Sequence, residues 1–165
     1  MKNKFSTYYN SPIGMLKIAG TQNAITELSF MDIEETIEDE IPEYLKKAVT
    51  QLDEYFSGKR KEFDLNLEPE GTDFQIKVWE ELMQIPFGKT VSYLQIAESL
   101  GDKKTIRAVG NANGKNKIAI IIPCHRVIGS HGELTGYAGG AWRKDWLLKH
   151  ERKFSSEPGQ LNLEF

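Results

Sequence analysis

One cysteine occurs in the chain, in the run Ile122-Pro123-Cys124-His125-Arg126-Val127. A lone thiol forms no internal disulfide and no cysteine-rich zinc site, so its chemical use is as a nucleophile. An imidazole and a guanidinium follow it directly, and cations near sulfur favour the thiolate, the form that attacks carbon. The competing reading is an inert core thiol, because free Cys is among the most buried residue types. An unperturbed thiol, with a pKa of ~8.5, is only about 3% thiolate at pH 7, so a catalytic Cys124 needs a proton acceptor. On an extended segment Cys124 and His125 would point to opposite faces, which argues against direct transfer between them.

Bulk properties narrow the setting. A chain of 165 residues is long enough for one domain or for two small ones sharing an interface. Basic residues at the start have no apolar stretch behind them, so no signal peptide is expected. The longest apolar run, residues 118–122, is far too short to span a bilayer. A reduced, cytoplasmic protein fits these features. The net charge of −3 argues at first against a nucleic-acid partner. Its distribution reverses that: residues 1–70 hold 8 Lys/Arg against 14 Asp/Glu, whereas residues 103–126 hold Lys103, Lys104, Arg107, Lys115, Lys117 and Arg126 with no acid. A local basic segment of this kind can track phosphates while the rest of the molecule repels them.

Positioning these groups requires a scaffold, and the hydrophobic pattern divides it in two. Residues 5–9, 15–19 and 25–30 alternate as strands, with turn sequences between them. An acid-rich loop over 32–43 leads to a helix starting near Pro42. That helix has Leu45, Val49, Leu52 and Phe56 on its apolar face and Gly58 at its end. Phe63, Leu65 and Leu67 alternate as a further strand. Glu68-Pro69-Glu70-Gly71 reads as a linker, placing a boundary between an N-terminal domain (1–70) and a C-terminal domain (71–154). Residues 155–165 read as a mobile polar tail.

Beyond the linker the period is helical. Thr72 with Gln75 forms a capping box before Phe74, Val78, Trp79, Leu82 and Met83, and Ser92 with Gln95 opens a second helix closed by Gly101. A third helix is expected over 103–113, ending at Gly114, so that two short helices around a glycine make a helix-turn-helix. Residues 118–122 read as a buried strand or extended segment presenting Pro123-Cys124. A last helix over 141–152 packs Trp142, Trp146 and Leu147, and His131, with no motif partner, reads as surface. The third helix contains Arg107-Ala108-Val109-Gly110-Asn111-Ala112-Asn113-Gly114, whose central Gly costs about 1 kcal/mol. Such a helix suits close backbone approach to a narrow groove with one Arg projecting, or else tight packing on the core.

Taken together, these residues resemble the O6-alkylguanine-DNA alkyltransferase (methylated-DNA–protein-cysteine methyltransferase) family. The resemblance rests on Phe74-Gln75 with Val78-Trp79, Ile85-Pro86-Phe87-Gly88, Ser92-Tyr93, Arg107-Ala108-Val109-Gly110 and Pro123-Cys124-His125-Arg126-Val127. Gly136-Tyr137-Ala138-Gly139-Gly140, Lys144, and Leu147-Leu148 with Glu151 complete it, in the family's order. It implies an α+β protein: an N-terminal antiparallel sheet with one helix, ribonuclease H-like, then a mostly helical winged-helix/helix-turn-helix domain. It also implies a monomer that repairs double-stranded DNA. The alkyl group of O6-alkylguanine, with O4-alkylthymine as a further candidate, moves once and irreversibly to the protein's own cysteine, with no cofactor or metal.

The resemblance assigns roles residue by residue. Cys124 would be the acceptor, deprotonated through a water by His125, with Glu151 orienting the imidazole. Taken alone, Glu151 reads as a solvated charge at a helix end. Asn116 would bond the backbone of the active-site turn, although Lys117 stands where many members have Pro. Arg107 would fill the gap left by a flipped base, and Ala108, Gly110 and Arg126 would face DNA. Tyr93 would crowd the 3′ phosphate and offer a proton to the departing guanine. The base pocket would comprise Val127, Tyr137, Ala138 and Gly139. The Cys124 and Val127 carbonyls would accept from the guanine amino group, and the Ala138 N–H would reach the alkylated oxygen. Two other functions compete. A non-catalytic, alkyltransferase-like lesion-binding protein would lack the acceptor cysteine, and a cysteine hydrolase is disfavoured by the adjacency of Cys124 and His125.

Overall fold

The computed structural model describes residues 3–32 and 40–155, so most of the expected acidic loop and the expected tail beyond 155 lie outside the described residues. Three antiparallel strands, β1 (Phe5–Ser11), β2 (Gly14–Gly20) and β3 (Ile25–Met31), form a sheet in that order. Pairing of Ile18 with Leu28 and of Leu16 with Phe30 puts alternate apolar side chains on one face. Helix α1 (Glu43–Phe56) covers that face with Leu45, Ala48, Leu52 and Phe56. It stops at Ser57, after which Gly58 takes φ 81°, a left-handed conformation that glycine adopts freely.

The expected strand around Phe63, Leu65 and Leu67 does not form a ladder. These side chains do turn inward at alternate positions, but the pairing is a single parallel bridge between Leu67 and Ile25. One bridge leaves the alternation without a strand, because the β3 edge is taken over further along. There the Leu28 N–H donates to Lys117 O at 3.0 Å and the Ala119 N–H to Leu28 O at 2.9 Å. β3 is thus stitched directly to the segment leading to Cys124.

In the second half, α2 (Asp73–Leu82) opens with the Thr72–Gln75 capping box and buries Val78, Trp79 and Leu82. Met83 sits at its C-cap, 45% exposed, rather than on the apolar face expected of it. Indole Nε1 of Trp79 donates to Ala112 O at 2.9 Å, fixing α2 against the later helix α4 (Ile106–Gly114). The Ser92–Gln95 box forms as well and opens α3 (Tyr93–Ser99), directly after the two-residue strand β4 (Val91–Ser92). The third helix begins later than the sequence suggests. The Asp102 carboxylate accepts from the Lys104 N–H, and Lys103–Thr105 form a 3-10 turn ahead of α4. β5 (Val127–Ile128) pairs in parallel with β4, and α5 (Ala141–Ser155) is the last described element, with Trp142 58% exposed instead of packed. The expected α+β layout, a sheet with one helix followed by a helical half, is the observed one.

Candidate active site

Residues 118–122 form a tight turn, not an extended segment. Ile122 N–H donates back to Ile118 O at 3.0 Å, and Ile120 adopts φ 71°. A buried β-branched residue in the left-handed region is a strained conformation that its surroundings must impose. Asn116 supplies much of that constraint: its Nδ2 donates to Ile122 O at 2.8 Å and Ile118 O at 3.2 Å, while its Oδ1 accepts from the Ile118 N–H at 3.0 Å. Pro123 then leads into a 3-10 turn, Cys124–Arg126. Successive side chains on such a turn are ~120° apart instead of opposed, which corrects the extended geometry expected for Cys124 and His125. The thiol and the ring are nevertheless not bonded to each other, for His125 Nδ1 is buried without a protein partner.

One edge of the His125 ring is turned to a carboxylate. Its Nε2 lies 2.7 Å from Glu151 Oε2, which also accepts from Tyr55 Oη at 2.6 Å and Arg126 Nη2 at 3.0 Å. Glu151 Oε1 takes Arg126 Nε at 2.7 Å, and the guanidinium's Nη1 reaches Ile85 O at 2.7 Å. Burial alone would raise the Glu151 pKa, but the His125 ring and the Arg126 guanidinium outweigh it and hold the carboxyl well below its usual range. An ionised Glu151 only accepts, so the shared proton belongs to His125 Nε2, and in a neutral ring Nδ1 is then the lone-pair nitrogen. Glu151 is fully buried, which overturns its reading as a solvated charge at a helix end.

Two consequences follow for the basic residues next to the cysteine. Arg126 is 7% exposed with its donors committed to Glu151 and Ile85, so it does not face DNA as the sequence suggested. Nor do His125 and Arg126 make a resting thiolate. Burial pushes the Cys124 thiol up to about 11, a contact from Asn116 and the charge of Lys144 pulling only partly against it. At pH 7 such a group is thiolate in about one molecule in ten thousand, so deprotonation belongs to the reaction itself.

The cation that does act on the sulfur is Lys144. It lies fully buried on α5, its ammonium donating to Thr135 O at 2.9 Å and standing 3.5 Å from Tyr93 Oη. Burial lowers its pKa to about 8, opposed by its attraction to Cys124. Tyr93, the first residue of α3, donates its hydroxyl to Thr135 O at 2.8 Å, and burial raises its pKa, so it keeps its proton at neutral pH. Lys144, Tyr55 and Asn113, whose Nδ2 donates to Cys124 O at 3.3 Å, were not assigned roles from sequence. For Lys144 a signal existed: Lys144, Leu147 and Glu151 fall at helical spacing on one face, and charges on an apolar stripe mark function. Nothing in the sequence marked Tyr55, 96 residues from its partner Glu151.

Cys124 opens on a cavity of about 90 Å3 that Tyr137, Ala138 and Gly139 also line. The Val127 side chain is not in that lining; it is fully buried beside β4. A second, open groove of about 460 Å3 brings together Tyr93, Arg107, Gly110 and Thr135. Arg107 and Ala108 are exposed on α4 while Val109, Ala112 and Asn113 are buried, so the small-residue helix packs one face on the core and leaves Arg107 projecting from the other. His131 is exposed, as expected.

Comparison with known proteins agrees with this geometry. The family model "6-O-methylguanine DNA methyltransferase, ribonuclease-like domain" matches residues 4–69, and "6-O-methylguanine DNA methyltransferase, DNA binding domain" matches residues 73–153. A methylated-DNA–protein-cysteine methyltransferase of Methanosarcina barkeri is 50% identical over 154 residues, covering 87% of this chain and 96% of its own. The crystal structure of Mycobacterium tuberculosis O6-methylguanine methyltransferase superposes with a TM-score of 0.84 at 45% identity, over 98% of this chain and 99% of that one. The Mycobacterium tuberculosis protein solved in complex with DNA gives 0.82 at 47% identity, over 90% and 93% of the two chains. With both domains matched and the cysteine, histidine and glutamate brought together, the chain belongs to the methylated-DNA–protein-cysteine methyltransferase family.

Proposed function

We propose that this protein repairs double-stranded DNA by moving the alkyl group of O6-alkylguanine onto Cys124, once per molecule. The observation that carries the reading is the buried array behind the cavity. A thiol faces the cavity, the ring of the next residue presents a free Nδ1, and Glu151 fixes that ring from the other side. His125 Nδ1 takes the Cys124 proton through a water, and the imidazolium formed is stabilised by Glu151. Lys144 favours the thiolate as it appears. The sulfur then attacks the alkyl carbon; the C–S bond forms as the bond to guanine oxygen breaks, and the electron pair passes into the purine. A proton supplied from Tyr93 neutralises the leaving base. The product is a thioether that water does not cleave, so each molecule acts once.

A base stacked in duplex DNA does not present its O6-alkyl carbon to a buried thiol, so the nucleotide must rotate out of the helix. Exposed Arg107 projects from α4 beside the groove that Tyr93 and Gly110 line, as a side chain filling the vacated stack from the minor groove would. The Cys124 and Val127 carbonyls and the Ala138 N–H read the flipped base. The protein acts as a monomer in the reducing cytoplasm, where a free thiol persists.

Two measurements test this. Mixed with a duplex containing O6-methylguanine, the protein restores one lesion per molecule and then stops; continued turnover contradicts the reading. Arg107→Ala slows repair of that duplex by at least roughly 10-fold, since unstacking costs a few kcal/mol, yet slows reaction with free O6-alkylguanine far less. Equal slowing on both substrates removes the gap-filling role of Arg107.

A further inference from the structure

Glu151 has a partner in the first half of the chain, and that partner is tied to α5 twice. Tyr55, in the last turn of α1, donates its hydroxyl to Glu151 Oε2 at 2.6 Å. Its backbone carbonyl accepts from Nε2 of His150, the preceding residue of α5, at 2.8 Å. Tyr55 is fully buried, and its ring packs against Phe56, Phe63 and Phe87 with centroids 5.2, 5.5 and 6.1 Å away. Packing therefore holds the hydroxyl in place, and not its bond to Glu151 alone.

Three donors meet at Glu151 Oε2: Tyr55 Oη at 2.6 Å, His125 Nε2 at 2.7 Å and Arg126 Nη2 at 3.0 Å. Arg126 also takes Oε1 at 2.7 Å and brings a full charge, whereas a neutral imidazole is the weaker donor. Left to those two, the carboxylate would be drawn onto the guanidinium fork, the usual bidentate arrangement of such a pair. Tyr55 opposes this, for its bond is the shortest on Oε2. Burial and the charge of Glu151 push the phenol well above its usual range, so it remains a donor throughout.

We propose that Tyr55 is a positioning residue for the transfer reaction, its hydroxyl keeping Glu151 Oε2 on His125 against the pull of Arg126. The inference rests on the repair reading above and adds to it a group from outside the matched DNA-binding domain, residues 73–153. The first half of the chain then completes the relay that activates Cys124. A tyrosine that only filled the core would act through its ring, whereas only the hydroxyl bears on the carboxylate. Phenylalanine in its place separates the two roles.

The test follows alkylated Cys124 against time, with protein in excess over a duplex carrying O6-methylguanine. A series of protein concentrations separates the limiting rate from the half-saturating concentration. Tyr55→Phe should lower the limiting rate roughly 10-fold, within the ~100-fold that a small misplacement away from the chemistry can cost, and leave half-saturation unchanged. Tyr55→Leu should lose as much in rate and also unfold at a lower temperature than Tyr55→Phe, because it gives up the ring contacts. Loss of the hydroxyl thus reads in rate, and loss of the ring in stability. A limiting rate in Tyr55→Phe within about two-fold of wild type, or a loss confined to half-saturation, overturns the proposal. Absence of any alkyl on wild-type Cys124 would instead overturn the repair reading on which it rests.

Discussion

Replacing Glu151 with Gln is expected to abolish measurable alkyl transfer and to destabilise the fold by about 3–5 kcal/mol, the usual cost of breaking a buried ion pair from one side. Arg126 would remain buried with no counter-charge, its Nε and Nη2 having bonded only to this carboxylate. His125 would lose the acceptor that keeps a proton on Nε2, and with it the fixed orientation of the ring. The pH dependence of stability gives an independent readout. Glu151 has a folded pKa below its unfolded value, near ~4.3. Its contribution is therefore fully present above that value and is lost as pH falls through it toward the folded one. Unfolding followed across pH 3–7 should show the wild-type protein losing stability on the acid side more steeply than Glu151→Gln. Parallel curves, or a Gln variant that still alkylates its cysteine at the wild-type rate, would remove Glu151 from the relay.

Lys144→Met should slow transfer roughly 10–100-fold at pH 7, the effect of withdrawing an opposite charge that favours a thiolate by 1–2 pKa units. The same change should leave thermal stability equal or higher, because a fully buried ammonium is replaced by an apolar side chain of similar length. This opposition separates a role in chemistry from one in folding. Since burial brings Lys144 to about 8, its charge, and its support for the thiolate, fade above that pH. The wild-type rate should therefore stop climbing with pH near 8, whereas the Met variant, slower throughout, should show no such break. An unchanged rate in Lys144→Met would return activation of Cys124 to His125 alone.

Local signals in the sequence carried far. Both capping boxes formed, because each satisfies backbone donors within one turn and needs nothing from the rest of the chain. The three N-terminal strands followed from their alternation. What sequence missed was set by contacts across the fold. Residues 118–122 read as a strand because they are uniformly apolar, yet Asn116 bends them into a turn around a left-handed Ile120. Phe63, Leu65 and Leu67 alternate as a strand would but find a single bridge to pair with.

The site divides in the same way. Cys124 and His125 were legible from their types and adjacency, whereas Glu151 entered only through the family resemblance, because taken alone it reads as a solvated charge. Arg126 was misread: adjacency to a basic run suggested phosphate, while the fold turns its guanidinium inward onto Glu151. Lys144 was visible only as a charge on a buried helical stripe. Tyr55, contributed by the N-terminal half, is an ordinary core aromatic in sequence and meets Glu151 only when α1 is docked against the second half.

The most direct measurement is of the protein after it has met its substrate. Incubated with a duplex containing O6-methylguanine and then digested, the protein should gain a single methylene on the peptide that holds Cys124, in proportion to the lesions lost, and Cys124→Ser should gain none. A repaired duplex beside an unmodified Cys124, or a methylene found on any other residue, would contradict the account.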